Sequence, residues 1–345
     1  MGANNGAGRA SAVFRSPEWG LVASIAIILG VIYLLDPTRS FFGESSRQAL
    51  LHQIGLFGVL AVGAAVVIIS GGIDLSVGAV AALSSIICCK LMTEWLHDAS
   101  TGGPPGSAVI LVAMAMTLLM GLVVGLFHAL LINHFGLPPF IATLATMSGL
   151  RSLASIVSNN RQINVDYKFF RYLGRDANHT FAAFVVVAIV VSVMMGATVL
   201  GRHLFALGGN EAAARLSGLK VRRLKAFAYG LSGVLAAFAG ILFAGRSGQG
   251  DSRMGIAYEL FAITAAVVGG CSLAGGVGSI RGTVLGLVLL QTLIRGTGIV
   301  VKKIDFFLGK THVVIELNST QVEGLVLGTV IILAVAINQR FRPKL

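Results

Sequence analysis

The stretch Leu50–Val80, LLHQIGLFGVLAVGAAVVIISGGIDLSVGAV, decides how this chain folds. Residues 50–69 form one apolar run, matching the roughly 20 residues a helix needs to cross a bilayer. The segment Ser70–Gly78, SGGIDLSVG, then interrupts it. The adjacent Gly71 and Gly72 break the helix and free backbone groups, which at membrane depth must find partners in protein or water. Asp74 sits at the break, beside Leu75, where a helix is expected to restart. Two readings stay open. The carboxylate caps free N–H groups at the positive end of the new helix, or the break lines a pathway or its inner gate, with Gly72, Asp74 and Ser76 as candidate residues.

Similar runs recur along the whole chain, at 19–35, 75–92, 108–132, 139–157, 181–200, 226–245, 258–270, 279–299 and 322–339. The run at 258–270 is too short to span unaided and reads as a broken or half-buried helix. Composition agrees: 55% of the 345 residues are hydrophobic and only 12% charged, against about 25% charged in soluble domains. The mean hydropathy is +0.86, and the 44 glycines suit membrane helices. The expected fold is an all-α integral membrane protein of about ten transmembrane or broken helices. The run from Trp19 to Leu35 ends at Leu-Leu-Asp-Pro without a small-residue cleavage site, so it reads as a retained first helix.

The net charge of +12 does not point to nucleic acid, because the basic residues sit in short connections between apolar runs. The longest basic connection, 201–225, holds Arg202, Arg215, Lys220, Arg222, Arg223 and Lys225 against the single acid Glu211. Positive-inside logic places it in the cytoplasm. Ten crossings then put both tails, 1–18 and 340–345, on that side, around a membrane domain of 19–339. Arg9 and Arg15 in one tail, and Arg340, Arg342 and Lys344 in the other, agree. The opposite side also carries basic residues, Arg161, Lys168, Arg171 and Arg175 in one loop and Lys302, Lys303 and Lys310 in another, interleaved with acids. Orientation therefore rests on 201–225.

A weak internal two-fold repeat aligns Gly71–Gly78 with Gly269–Gly276. Gly-interrupted segments in corresponding halves point to a transport path, which adds Ser272 to the candidates. Within the basic connection, Glu211–Leu216 is a short helix by propensity, with Asn210 as N-cap and Gly208, Gly209 and Gly218 as brackets. It is either a docking element for a soluble partner or a solvated connector. Pro138 and Pro139 stop one helix and suit the first turn of the next. Phe140, Thr143 and Thr146 follow at helical spacing and serve either packing or contact with a solute. Glu259 opens the short eighth segment, as an interfacial carboxylate or a functional intramembrane one. Gly121–Gly125, Gly282–Gly286 and Gly324–Gly328 have the spacing for close helix packing within the chain.

Several chemistries lack their residues. Cys88, Cys89 and Cys271 fall in or beside apolar runs with no zinc or disulfide spacing. The seven histidines form no ligand pair, so no metal site is expected. No nucleophile–base set is evident, so no catalytic residue is assigned. Gly309-Lys310-Thr311 resembles the end of a phosphate-binding loop, but Ile304 stands where that pattern needs glycine.

Four stretches, SGGIDLSVGAV (70–80), LPPFIATLATMSGLR (137–151), GRHLFALGGNEAAARLSGLKV (201–221) and YELFAITAAVVGGCSLAGGVGS (258–279), closely resemble the permease subunit of ribose/xylose-type ABC importers. The resemblance covers about 45–340. It implies a non-enzymatic inner-membrane subunit that pairs with a second copy. Two ABC ATPase subunits, which use ATP and Mg, would dock on it while this chain binds no cofactor, and a periplasmic binding protein would deliver the sugar. It also implies that Gly209, Asn210, Glu211, Ala213, Arg215 and Gly218 form the coupling element. Gly72, Asp74, Ser76, Phe140, Thr143, Glu259 and Ser272 are the candidates for path or gate. The chain departs from the family in a longer, more charged 300–321 stretch and in a 158–180 loop without a Gly-rich signature, which leaves the sugar open. An ion-coupled secondary transporter is the alternative and would need its own intramembrane ion site, for which Asp74 is the candidate.

Overall fold

The structure, a computed structural model, describes residues 17–97, 103–300, 303–308, 311–316, 324–330 and 332–333. The helices are α1 (Pro17–Leu35), α2 (Glu44–Ile69), α3 (Val77–Lys90, continued by a π-turn at Leu91–Trp95), α4 (Ser107–Asn133) and α5 (Pro139–Ser158). They continue with α6 (Lys168–Arg175), α7 (Ala177–Ala197), α8 (Val199–Gly209), α9 (Glu211–Leu216), α10 (Val221–Ser247), α11 (Tyr258–Val268) and α12 (Ile280–Val300). Eight of the described helices, α1–α5, α7, α10 and α12, are long and apolar enough to cross a membrane. α11 is the short apolar helix expected at 258–270. The tenth segment, 322–339, is helical at 324–330 and 332–333 and otherwise lies outside the described residues, as do 1–16 and 340–345.

α2 is the axis of the bundle. Every residue from Ile54 to Ile69 is buried, as expected of a helix that is apolar all round. α7, α10, α11 and α12 pack around it, while α3 and α4 pack on α10 and α5 on α3. α1 lies at the periphery against α12, with most of its surface open. The α4–α10 crossing is set by glycines. A Cβ on Gly125 would stand 2.7 Å from the Tyr229 carbonyl carbon and 2.8 Å from Gly230 Cα. Gly125→Leu is therefore expected to cost about 3 kcal/mol through overpacking. It should appear as a loss of monodisperse protein in gel filtration, while Gly196→Leu, on an open face of α7, should leave the yield unchanged. Gly282 and Gly286 pack in the same way against Gly269 and Ala265 of the α11 region, whereas Gly324 and Gly328 meet none of the described residues closely.

Three features differ from the sequence expectation. The sixth segment, expected at 181–200, spans Ala177–Ala197 and breaks at Thr198, whose side chain accepts from the Gly201 N–H and starts α8. The 201–225 connection is accordingly mostly helix, with Gly208 and Gly209 closing α8. α10 begins at Val221, so Arg222, Arg223 and Lys225 lie in its first turns. The helical frame also carries two small antiparallel pairings. Ile163–Asn164 (β1) pairs with Gln249–Gly250 (β2), and Lys303–Leu308 (β3) pairs with Thr311–Glu316 (β4). The second is a hairpin within the 300–321 stretch, where β-branched and aromatic residues favour strand over coil. The loop residues 309–310, with Gly309 and Lys310, lie outside the described residues.

Candidate functional site

The two Gly-broken segments meet near the base of the short helix α9. In the first break, α2 ends at Ile69, Gly71 takes a left-handed φ of 85° and α3 starts at Val77. Asp74 is 3% exposed. It accepts from the Ser76 N–H at 2.9 Å and the Ser76 hydroxyl at 2.6 Å, and its other oxygen accepts from the Ser232 hydroxyl of α10 at 2.8 Å. The carboxylate thus ties the break both to the start of α3 and to α10. Gly72 lies beneath the Tyr229 hydroxyl.

The Thr143 hydroxyl of α5 lies 3.3 Å from the Ile73 carbonyl and 3.0 Å from that of Pro139. One helical turn on, the Thr146 hydroxyl bonds His128 Nε2 of α4 at 2.7 Å. Phe140 does not join them, since its ring is turned outward and half exposed. Proline at the first position of α5 starts the helix that carries all three.

In the second break, Ser272 organises a tight loop. Its N–H donates to the Val277 carbonyl, and its own carbonyl and hydroxyl accept from the N–H groups of Gly275 and Ala274. Glu259, in the first turn of α11, is partly buried, with Oε2 enclosed and without a hydrogen-bond partner among the described residues. Its helix is pinned by rings: Tyr258 lies 4.8 Å from Phe57 and 5.0 Å from Phe243. Arg151 of α5 donates to the carbonyls of Met254 and Gly255 just before α11.

α9 is ordered at both ends. The Asn210 side chain accepts from the Ala213 N–H at 3.0 Å, and Gly218 closes the helix with φ 80°. Glu211 pairs with Arg215 at 3.1 Å and with Lys225 of α10 at 2.8 Å. Partial burial opposes its ionisation, but the Lys225 ammonium and then the Arg215 guanidinium outweigh this and hold the carboxyl below its ordinary range. A lowered carboxylate pKa means the brace is complete above the ordinary range and is lost as pH falls through the lowered value. Sequence reasoning missed Ser232, His128 and Tyr229. His128 carried a usable signal, as an ionisable residue inside an apolar run.

Long apolar helices packed around two interrupted segments, the first built on the buried Asp74, define a multi-pass membrane transport protein. The chain belongs to the family described as branched-chain amino acid transport system / permease component, whose sequence profile matches residues 46–335. It is 33% identical to the ribose import permease protein RbsC of Escherichia coli (strain K12) over 281 residues, covering 79% of this chain and 83% of that one. Identity to the Bacillus subtilis (strain 168) RbsC is 35% over 285 residues, covering 80% and 84%. The galactose/methyl galactoside import permease protein MglC of E. coli (strain K12) is 35% identical over 296 residues, covering 81% and 86%. No solved structure matches the chain.

Proposed function

We propose that this chain is the membrane-spanning permease subunit of an ATP-binding-cassette importer that moves a monosaccharide across the inner membrane. The observation that carries the reading is the similarity, over about four-fifths of the chain, to import permeases named for two sugars, one a pentose and one a hexose. Two copies pair in the membrane, with both termini in the cytoplasm. ATPase subunits, which hold ATP and Mg, dock on α9, and a periplasmic binding protein delivers the sugar to the outer face. Gly209, Asn210, Ala213 and Gly218 shape the docking helix, and Glu211 and Arg215 brace it. Gly72, Asp74, Ser76, Thr143, Glu259 and Ser272 form the wall or gate of the path, with Phe140 on the exposed face of α5. Contacts along such a path are weak, because a conduit must release what it admits. Asp74 is engaged by three hydroxyl or amide donors, which favours a structural carboxylate over a coupling-ion ligand.

The test is uptake of labelled pentoses and hexoses into proteoliposomes holding the chain with its ATPase, with and without internal ATP and external binding protein. Uptake that requires both is expected, and the panel names the sugar. Uptake that ignores ATP and follows an imposed ion gradient would replace this reading with secondary transport.

A further inference from the structure

We infer that Gly208 and Gly276 form a backbone clasp that makes the two broken segments move together with the docking helix, so that Gly208 is a positioning residue for coupling. The inference rests on the importer reading above. The last carbonyls of a helix lack intrahelical partners, and at the end of α2 one of them, that of Ile69, accepts from the Gly276 N–H of the second break at 2.9 Å. The two repeat-related interruptions are thus joined directly, main chain to main chain.

Gly208 lies over this bond. A Cβ there would be driven into the Ile69 carbonyl oxygen and would stand 2.6 Å from the Gly276 nitrogen. The packing is reciprocal: a Cβ on Gly275 would lie 2.7 Å from Gly71 Cα, and one on Gly276 would lie 2.6 Å from Gly209 Cα. Three chain segments therefore touch where no side chain fits. Gly208 belongs to the last turn of α8, immediately before Asn210 caps α9. The Lys225–Glu211 bridge fastens α9 to α10, and Ser232 of α10 reaches back to Asp74 in the first break. A displacement of α9 thus has two routes to the breaks, one through the clasp and one through α10. Packed interfaces of this kind switch between discrete arrangements rather than deforming gradually.

Gly196 supplies an internal control. It is also a helical glycine, on α7, its φ is not positive, and a Cβ on it meets nothing within 4 Å. Both Gly208→Ala and Gly196→Ala are made in the full chain, and each is assembled with the ATPase and binding protein in proteoliposomes. Gly196→Ala should transport like the wild type. Gly208→Ala should still bind the ATPase and hydrolyse ATP, but its ATP-driven uptake should fall about tenfold, in the range of a typical coupling energy. Amide hydrogen exchange over 269–279 should speed up in Gly208→Ala and not in Gly196→Ala. Wild-type uptake by Gly208→Ala would overturn the coupling role alone. Wild-type uptake that ignores ATP would overturn the importer reading and the coupling role with it. If Gly208→Ala does not accumulate, exchange in the wild-type complex decides. The Gly276 amide should stay protected with and without an ATP analogue, and its exposure on nucleotide binding would overturn the clasp.

Discussion

Asp74→Ala is expected to destabilise the folded permease by about 2–4 kcal/mol. Three donors converge on this carboxylate: the Ser76 N–H, the Ser76 hydroxyl and the Ser232 hydroxyl. All lie where water does not reach, since Ser76 and Ser232 are buried. Alanine removes the acceptor and strands the donors, and a stranded buried donor carries its full desolvation penalty. The hydroxyls can rotate to other acceptors, but the Ser76 N–H is fixed by the start of α3. Asp74→Asn keeps one carbonyl oxygen for that N–H and should fall between the wild type and alanine. Ser232→Ala loses a single donor and leaves the Asp74–Ser76 pair intact, so its cost should be about 1 kcal/mol. The measurement is the thermal midpoint of detergent-purified protein followed by gel filtration. A graded order of wild type, Ser232→Ala, Asp74→Asn and Asp74→Ala supports the structural role. Normal stability in Asp74→Ala together with lost uptake would instead place the carboxylate in the transport path.

The parts of this architecture that depend on run length were legible in the sequence, and the parts that depend on what meets what were not. Apolar runs near the bilayer thickness mark the helices, because little else allows a backbone to cross lipid. The glycine pairs at 71–72 and 269–270 mark the interruptions for a local reason, since glycine tolerates the left-handed turn seen at Gly71 and Gly270. Asn210 was readable as a cap from its place before a helix-forming run. That the Gly276 N–H would find the Ile69 carbonyl is a contact across some 200 residues of sequence, for which local pattern holds no signal. The helix α8 was hidden for a different reason. Its arginine and histidine, Arg202 and His203, interrupt the apolar run, so the stretch read as a connection although Thr198 was available as a cap. Ser232 and Tyr229 sit in an apolar helix where single polar residues are common, and only the position of Asp74 across the bundle gives them a role.

Leu216→Ala is expected to weaken association with the ATPase subunit by about 2 kcal/mol, a roughly 30-fold loss of affinity. Leu216 ends α9 and is 89% exposed, while its neighbour Ala214 is buried against the bundle. The helix that presents it is held at both ends: Asn210 caps the start, and the Gly218 and Leu219 N–H groups close the end onto the carbonyls of Arg215 and Ala214. A rigid, projecting apolar side chain loses little entropy on docking, and that is the property of an anchor residue. Glu211 and Arg215 play a different part. The Glu211 carboxylate is paired with both Lys225 and Arg215, so the pair orients the helix more than it offers charge to a partner. The double variant Glu211→Ala with Arg215→Ala should therefore weaken association less than Leu216→Ala alone, and its loss should be partly recovered by Glu211→Gln, which keeps a hydrogen bond to Lys225. Leu34→Ala, equally apolar and exposed on α1, should change nothing, because α1 packs on α12 and lies apart from the α8–α10 connection. Co-purification of tagged ATPase over a concentration series measures all four. An unchanged affinity in Leu216→Ala beside a large loss in the double variant would make the charged pair the contact and Leu216 a bystander.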